Sequence, residues 1–293
     1  MNPTLKQVLL WFAAIILMFA AVVYQRATGP TYPFKGQFTH QGKVHKYKLL
    51  RSHETTGGAE LDLPQTGASD FQALLHYKRY KTQDSITVVP FVLKGETYQA
   101  TLPVQAAAGK MEYYITGKLD GKAFQIPENI KEPIVLRYKD PVPGGVLWPH
   151  VFMMFFAVLF GMRAGLSALF DPQTMRRWAI VALIGMTLGG MVLGPFVQKY
   201  AFGEYWTGFP YGGDFTDNKM LIMWLTWVVA MGIIGLKAKK KETFSRAVVL
   251  IAATIMTMVY LIPHSMGGST LDYSKVDKGI NPKEAIKTGA ETN

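Results

Sequence analysis

The chain has 293 residues, of which 49% are hydrophobic and 17% charged, with a mean hydropathy of +0.13. These averages conceal apolar runs near the N-terminus and between about 146 and 264, which exclude a disordered polar chain and an ordinary soluble enzyme. Lys and Arg number 31 against 20 Asp and Glu, a formal charge of +11, but the basic residues gather beside the apolar runs without any nucleic-acid motif. Membrane insertion explains that excess and no nucleic-acid partner is expected. The chain has no cysteine, so disulfides, thiolate metal ligands and CxxCH haem attachment are excluded.

Residues 1–26 read as a transmembrane anchor: the apolar run 8–24 lies between Lys6 and Arg26, is long for a signal peptide and has no clear small-x-small cleavage site after it. Residues 27–145 form a polar segment in which short strands are expected at 34–40, 44–51, 71–80, 86–93, 97–102, 111–119, 123–126 and 134–138. Lys94-Gly95-Glu96 and Asp120-Gly121 carry hairpin chemistry. This density of strands predicts an Ig-like or fibronectin-like β-sandwich. His40, His45, His53 and His76 lie there, His45 among Lys43, Lys46 and Lys48, and are read as solvated strand-face residues. No Ser-His-Asp spacing, carboxylate pair or phosphate loop occurs in the segment, so no catalytic residue is assigned.

Residues 146–264 are expected to form a four-helix transmembrane domain, with spans at about 146–170, 178–200, 220–236 and 247–263, five spans in all. Arg176 and Arg177 in one short loop, and Lys237, Lys239, Lys240, Lys241 and Arg246 in another, mark the cytoplasmic side. The N-terminus is then inside, the 27–145 domain and the C-terminus are extracytoplasmic, and in a Gram-negative cell the membrane is the inner one. Lys237, Lys239, Lys240 and Lys241 are read as a contact with anionic membrane lipids. Gly161/Gly165, Gly185/Gly189 and Gly190/Gly194, each pair four residues apart, suit close helix packing. Arg163 is expected to snorkel to the cytoplasmic surface. Asp171-Pro172 reads as a helix start, and Pro149 and Pro263 as the start and end of spans.

Candidate chemistry collects at the outer edge. His150 opens the second span and His264 closes the fifth, at similar depth by this topology. Met153 and Met154 follow His150 at i+3 and i+4, while Met266 follows His264 by two, and Met220 and Met223 start the fourth span. Imidazole with thioether suits copper(I), and two facing histidines suit a b-type haem; zinc, ranked behind these, would draw on Asp214 and Asp217. The outer loop 201–219 supplies those aspartates with Trp206 and Tyr211 as a pocket, and Asp214 or Thr216 can also cap the next helix. Residues 265–293 form a polar extracytoplasmic tail expected to be loosely ordered or bound to a partner.

In plan alone, an anchored outer domain followed by a small bundle, the chain resembles accessory proteins of respiratory complexes and copper handling. The expectation is a non-enzymatic integral membrane accessory protein whose outer edge holds a metal or haem and whose β-sandwich docks a membrane or periplasmic protein. Two readings stand beside it: a scaffold subunit without cofactor, and a b-type haem electron-transfer protein.

Overall fold

The computed structural model describes residues 2–238 and 242–287. Among them, five helices are long and apolar enough to cross a membrane, namely Pro3–Thr28, Gly144–Phe170, Met175–Phe202, Phe215–Ile234 and Thr243–Leu261, and β-sheets lie beside them in the chain. The protein is thus a mixed membrane protein. It divides into two compact units, one of residues 2–29 with 142–268 and the other of 30–141 with 269–287.

In the helical unit, α1 (Pro3–Thr28) buries Leu10, Ala14, Met18 and Ala21, a stripe at spacings of four, four and three, and exposes Val8, Phe12, Ile16, Phe19 and Val23. A narrow buried stripe with apolar residues on the remaining surface suits a helix surrounded by lipid. The buried residues of α2 (Gly144–Phe170) are mostly small. The predicted glycine spacings fall at the tightest helix crossings. A Cβ on Gly165 would lie 2.7 Å from that of Ala253 on α6 (Thr243–Leu261), and one on Gly185 would lie 3.1 Å from that of Ala157.

The third span is not one regular helix. It runs as α3 (Met175–Gly185), a π-helical segment (Met186–Leu193) and α4 (Gly194–Phe202). With α5 (Phe215–Ile234) the spans alternate in direction. At one end, the Gln25 side chain of α1 donates to the Tyr260 carbonyl of α6 at 2.9 Å; at the other, Arg246 of α6 donates to the Ala168 and Leu169 carbonyls of α2. Two expected helix boundaries are corrected. Helix α2 starts at Gly144, so Pro149 lies inside it, and α3 starts at Met175, with Asp171 as the C-terminal cap of α2. Pro263 does follow the end of α6.

In the β unit, β1 (Phe34–His40) and β2 (Lys43–Leu49) form a hairpin. A second sheet has the order β4 (Ala59–Pro64), β8 (Thr97–Leu102), β7 (Val92–Lys94). The largest has the order β3 (Ser52–Glu54), β11 (Ile134–Lys139), β9 (Lys110–Leu119), β5 (Gln72–Arg79), β6 (Thr87–Pro90), with β10 (Lys122–Ile126) also on β9. Alternation drives burial: Met111, Tyr113 and Ile115 of β9 face the same core as Leu61 and Leu63 of β4, so the sheets share one apolar cluster. The Tyr138 hydroxyl joins them, accepting from the Ala59 N–H at 3.2 Å and donating to the Leu102 carbonyl at 3.3 Å. Burial raises the Tyr138 phenol above its ordinary value.

Both expected hairpin turns occur, with positive φ at Gly95 and at Asp120 and Gly121. The expected strand 86–93 is instead two strands, parted at Phe91, which is buried and donates its N–H to the Ala73 carbonyl. Strands β3 and β4 were not expected. His40 is also less solvated than its strand position implies: it is buried, with Nδ1 2.8 Å from the Asp120 carboxylate.

The tail departs most from expectation, because 269–287 folds as part of the β unit. β12 (Thr270–Leu271) pairs with β13 (Ile286–Lys287), and between them α7 (Tyr273–Val276) places the Tyr273 hydroxyl on the Lys110 carbonyl at 3.0 Å. The Arg79 guanidinium lies 4.8 Å from the Tyr273 ring centroid and pairs with Asp84 at 2.6 Å and Asp277 at 2.7 Å. The Arg79 hydrogen bond holds the Asp84 carboxyl below its ordinary range; the Ser274 hydroxyl, with Lys287 behind it, does the same for Asp272.

A carboxylate with a depressed folded value contributes stability above its unfolded pKa, about 4, and loses it as pH falls through the folded value. Protection of 270–287 from hydrogen exchange is therefore expected to persist from neutrality to about pH 4 and to fall below it. Arg79→Ala is expected to lower that protection at neutral pH; equal protection in both proteins across the range would remove the tether.

Candidate functional site

One end of the helical bundle carries the 203–214 loop, and its geometry begins with α4. Gly203 closes that helix in the left-handed region at φ 90°. The loop then returns over the first turn of α5. Asp214 caps α5 by accepting from the Thr216 N–H at 2.8 Å, as expected.

Asp217 does something the cap reading did not anticipate. It is buried, and its carboxylate accepts from the Thr207 backbone N–H at 2.6 Å and the Thr207 hydroxyl at 3.2 Å. Gln198 donates to the same hydroxyl at 2.6 Å, and Asn218 accepts from the Phe209 N–H at 2.7 Å. Gly208 lies so close that a Cβ there would sit 2.7 Å from the Asp217 Cβ. Trp206, half-buried, donates to the Phe209 carbonyl at 3.0 Å, ahead of a cis Phe209–Pro210 peptide.

The backbone of the loop is thereby anchored by buried polar groups, while its aromatic side chains point outward. Tyr205 is 50% exposed, Phe209 68% and Tyr211 79%. Asp214 and Asp217 thus serve the loop's own structure. Among the described residues, no three His, Asp or Glu groups converge to hold a metal ion, so the zinc set of two histidines with two aspartates is not assembled.

The expected ligand residues separate into two groups. His150 lies on the π-helical segment: Nδ1 is 2.8 Å from the Gly189 carbonyl, which also accepts from the Gly194 N–H. A carbonyl only accepts, so Nδ1 carries the proton and Nε2 the lone pair. Met153 packs on the same segment, where a Cβ on Gly189 would be 2.7 Å from its own, and Met154 packs against the bundle core. Met220 covers Gly190, while Met223 is buried in that core. His264 is exposed after the end of α6, with Nδ1 2.8 Å from the Ser265 hydroxyl and its carbonyl facing Gly29. Met266 is 45% exposed.

Two buried cations were missed or misplaced. Lys219, only 6% exposed, donates to the Ile262 carbonyl at the end of α6, where freed carbonyls and the helix dipole favour a positive charge. The sequence offered only a hint: a lysine one turn inside a span whose start was set too late.

Arg163, expected to snorkel, is fully buried. Its guanidinium packs against the edge-to-face pair of Trp11 and Trp178, 5.4 Å and 5.6 Å from their rings, and donates to the Gln7 side-chain carbonyl and the Ser167 hydroxyl. Gln7 in turn donates to Asp171 at 2.7 Å, Thr174 donates to the same carboxylate at 2.8 Å, and Thr174 and Ser167 hydroxyls meet at 3.1 Å. The Gln7 hydrogen bond is the main reason the Asp171 carboxyl is held below its ordinary range. These contacts close a polar ring around one buried cation. At the same end Lys237 is exposed, and Lys239, Lys240 and Lys241 lie outside the described residues.

Chemically, the loop end offers a rigid aromatic surface and one oriented imidazole with a free lone pair. The sequence matches no protein-family model and no curated protein.

Proposed function

We propose that this is a non-catalytic accessory protein of the cytoplasmic membrane, with the N-terminus inside and the β unit and C-terminus extracytoplasmic. Its working surface is the 203–214 loop, which receives a membrane or periplasmic protein partner. The observation that carries this reading is the contrast within the loop: buried Asp217 and Gln198, with half-buried Asn218, fix its backbone while Phe209 and Tyr211 stand exposed. Rigid aromatics lose little entropy on binding and dominate interface energetics. The β unit, read as an Ig-like or fibronectin-like sandwich, adds a second docking surface; sharing of one core by its sheets supports that fold.

A photo-crosslinking residue at Tyr211 in the native membrane tests the reading. A discrete protein adduct that disappears when Asp217→Ala releases the loop is expected. Labelling of lipid alone would make the aromatics an interfacial belt and overturn it.

A second reading, a copper or b-type haem site, draws support from His150. Metal-ligating histidines commonly donate the other ring nitrogen to a backbone carbonyl, as His150 does to Gly189, and Met153 adds a thioether on the same segment. An electron-transfer role would follow only from a haem with His264 as second axial ligand. Absorption spectra and metal analysis of purified protein, beside His150→Ala and His264→Ala, decide it. Stoichiometric metal or a Soret band lost in His150→Ala supports the site; colourless, metal-free protein after reconstitution removes it.

A further inference from the structure

At the end of the bundle opposite the 203–214 loop, a cavity of about 600 Å³ lies between the 172–181 stretch and the residues Leu236, Ala238 and Glu242. Its polar lining is Gln173, Arg176, Arg177 and Glu242, and its apolar lining includes Ile180, Val181 and Leu236. On α3 the apolar pair lies three to five residues further into the span than the arginines, roughly 5 to 7 Å deeper at 1.5 Å per residue. Polarity therefore grades with depth as it does across a lipid monolayer.

The charges do not cancel. Arg176 is committed, with two contacts to Glu242 at 2.9 Å and 2.8 Å and further bonds to the Gly235 and Ile234 carbonyls. Arg177 is exposed, lies 4.8 Å from the Trp178 ring and, among the described residues, forms no ion pair. One guanidinium is left at the mouth of a cavity whose deeper wall on α3 is apolar, and Leu236, just past the end of α5, is 76% exposed.

We propose that this cavity binds an anionic phospholipid, with Arg177 and Gln173 on the phosphate and an acyl chain along Ile180, Val181 and Leu236. Guanidinium matches phosphate in shape and charge, and basic pockets between membrane helices are a recurring headgroup site. A zwitterionic lipid brings its own cation and leaves Arg177 without a net partner. A free phosphate would use the mouth and leave the apolar wall in water. The inference rests on the membrane-spanning helices and is independent of the partner or metal readings at the loop end.

The test uses the full chain purified in mild detergent and native mass spectrometry of retained lipid. Phosphatidylglycerol, phosphatidylcholine and inorganic phosphate are added separately, and phosphate is also added in competition with phosphatidylglycerol. Wild type is expected to keep phosphatidylglycerol in preference to phosphatidylcholine, and Arg177→Ala to lower that retention about five-fold, the effect of one cation near an anionic headgroup. Val181→Trp keeps the charges and fills the apolar wall, and is expected to lower retention as well.

Three outcomes overturn the proposal. One is equal retention of phosphatidylglycerol and phosphatidylcholine, or retention unchanged in both variants. Another is displacement of phosphatidylglycerol by inorganic phosphate at equal concentration, which would identify the ion as the ligand. The third is a loss in Lys237→Ala as large as in Arg177→Ala, which would replace the pocket by a diffuse basic surface.

Discussion

Arg163→Ala is expected to destabilise the helical unit by about 3–5 kcal/mol, the range for truncating a buried, hydrogen-bonded charged group. The cation is completely buried against the Trp11–Trp178 pair, and its loss removes two desolvated cation–π contacts and leaves a side-chain-sized void. It also strips the Gln7 side-chain carbonyl of its donor, and Gln7 is the bridge to Asp171. Because Gln7 belongs to α1, Ser167 to α2 and Thr174 caps α3, a single truncation loosens three helices together.

Arg163→Lys keeps the charge but cannot bond in two directions from a flat group packed on the rings, so it is expected to recover only part of the loss. Thermal unfolding in detergent, followed by tryptophan fluorescence, reads the effect through the two flanking rings. A wild-type midpoint in Arg163→Ala would mean that the ring of polar contacts does not hold the bundle.

The snorkelling expectation for Arg163 shows where the sequence stops being informative. Hydropathy located all five spans because a membrane crossing depends on summed transfer energy, which composition alone determines. Whether a charge inside a span turns towards lipid or towards another helix depends on which residues face it, and here they come from positions 7, 11 and 178. No local pattern joins those positions. The same limit hid the π-helical segment, although Gly189 and Gly190 marked it as a place of close approach.

In the β unit, Asp120-Gly121 was legible because turn chemistry is local. The division of 86–93 into two strands was not, because it depends on Phe91 entering the core and bonding to Ala73. The tail was misread for a comparable reason. Its polar composition resembles a solvated segment, while its attachment rests on a few long-range contacts of Tyr273 and Asp277. At the loop end, the residue types singled out were present, but the aspartates turned inward to the backbone. An N-cap signal is read from three consecutive residues; the Asp217–Thr207 bond spans ten.

That bond underlies the second large effect. Asp217→Ala is expected to cost about 2–4 kcal/mol, because it removes a charge-assisted hydrogen bond and leaves the buried Thr207 N–H without its acceptor. The loss should be local as well as global. The Thr207 carbonyl also accepts from the Asp214 N–H, at 3.0 Å, so freeing Thr207 weakens the N-cap region of α5 and the tight approach at Gly208 together. Limited proteolysis should then cut within 203–214 at protease concentrations that leave wild type intact, since cleavage tracks the population of the open loop.

Asp217→Asn retains an acceptor oxygen of nearly the same shape, so it is expected to keep most of the protection while losing the strength of the charged acceptor. The pair of variants separates two causes: if Asn protects as poorly as Ala, the negative charge holds the loop, and if Ala protects as well as wild type, the loop is held by Asn218 and Gln198 without Asp217. Only in that last case would the exposed aromatics keep their geometry without the buried carboxylate, and Asp217→Ala would cease to be a control for partner binding.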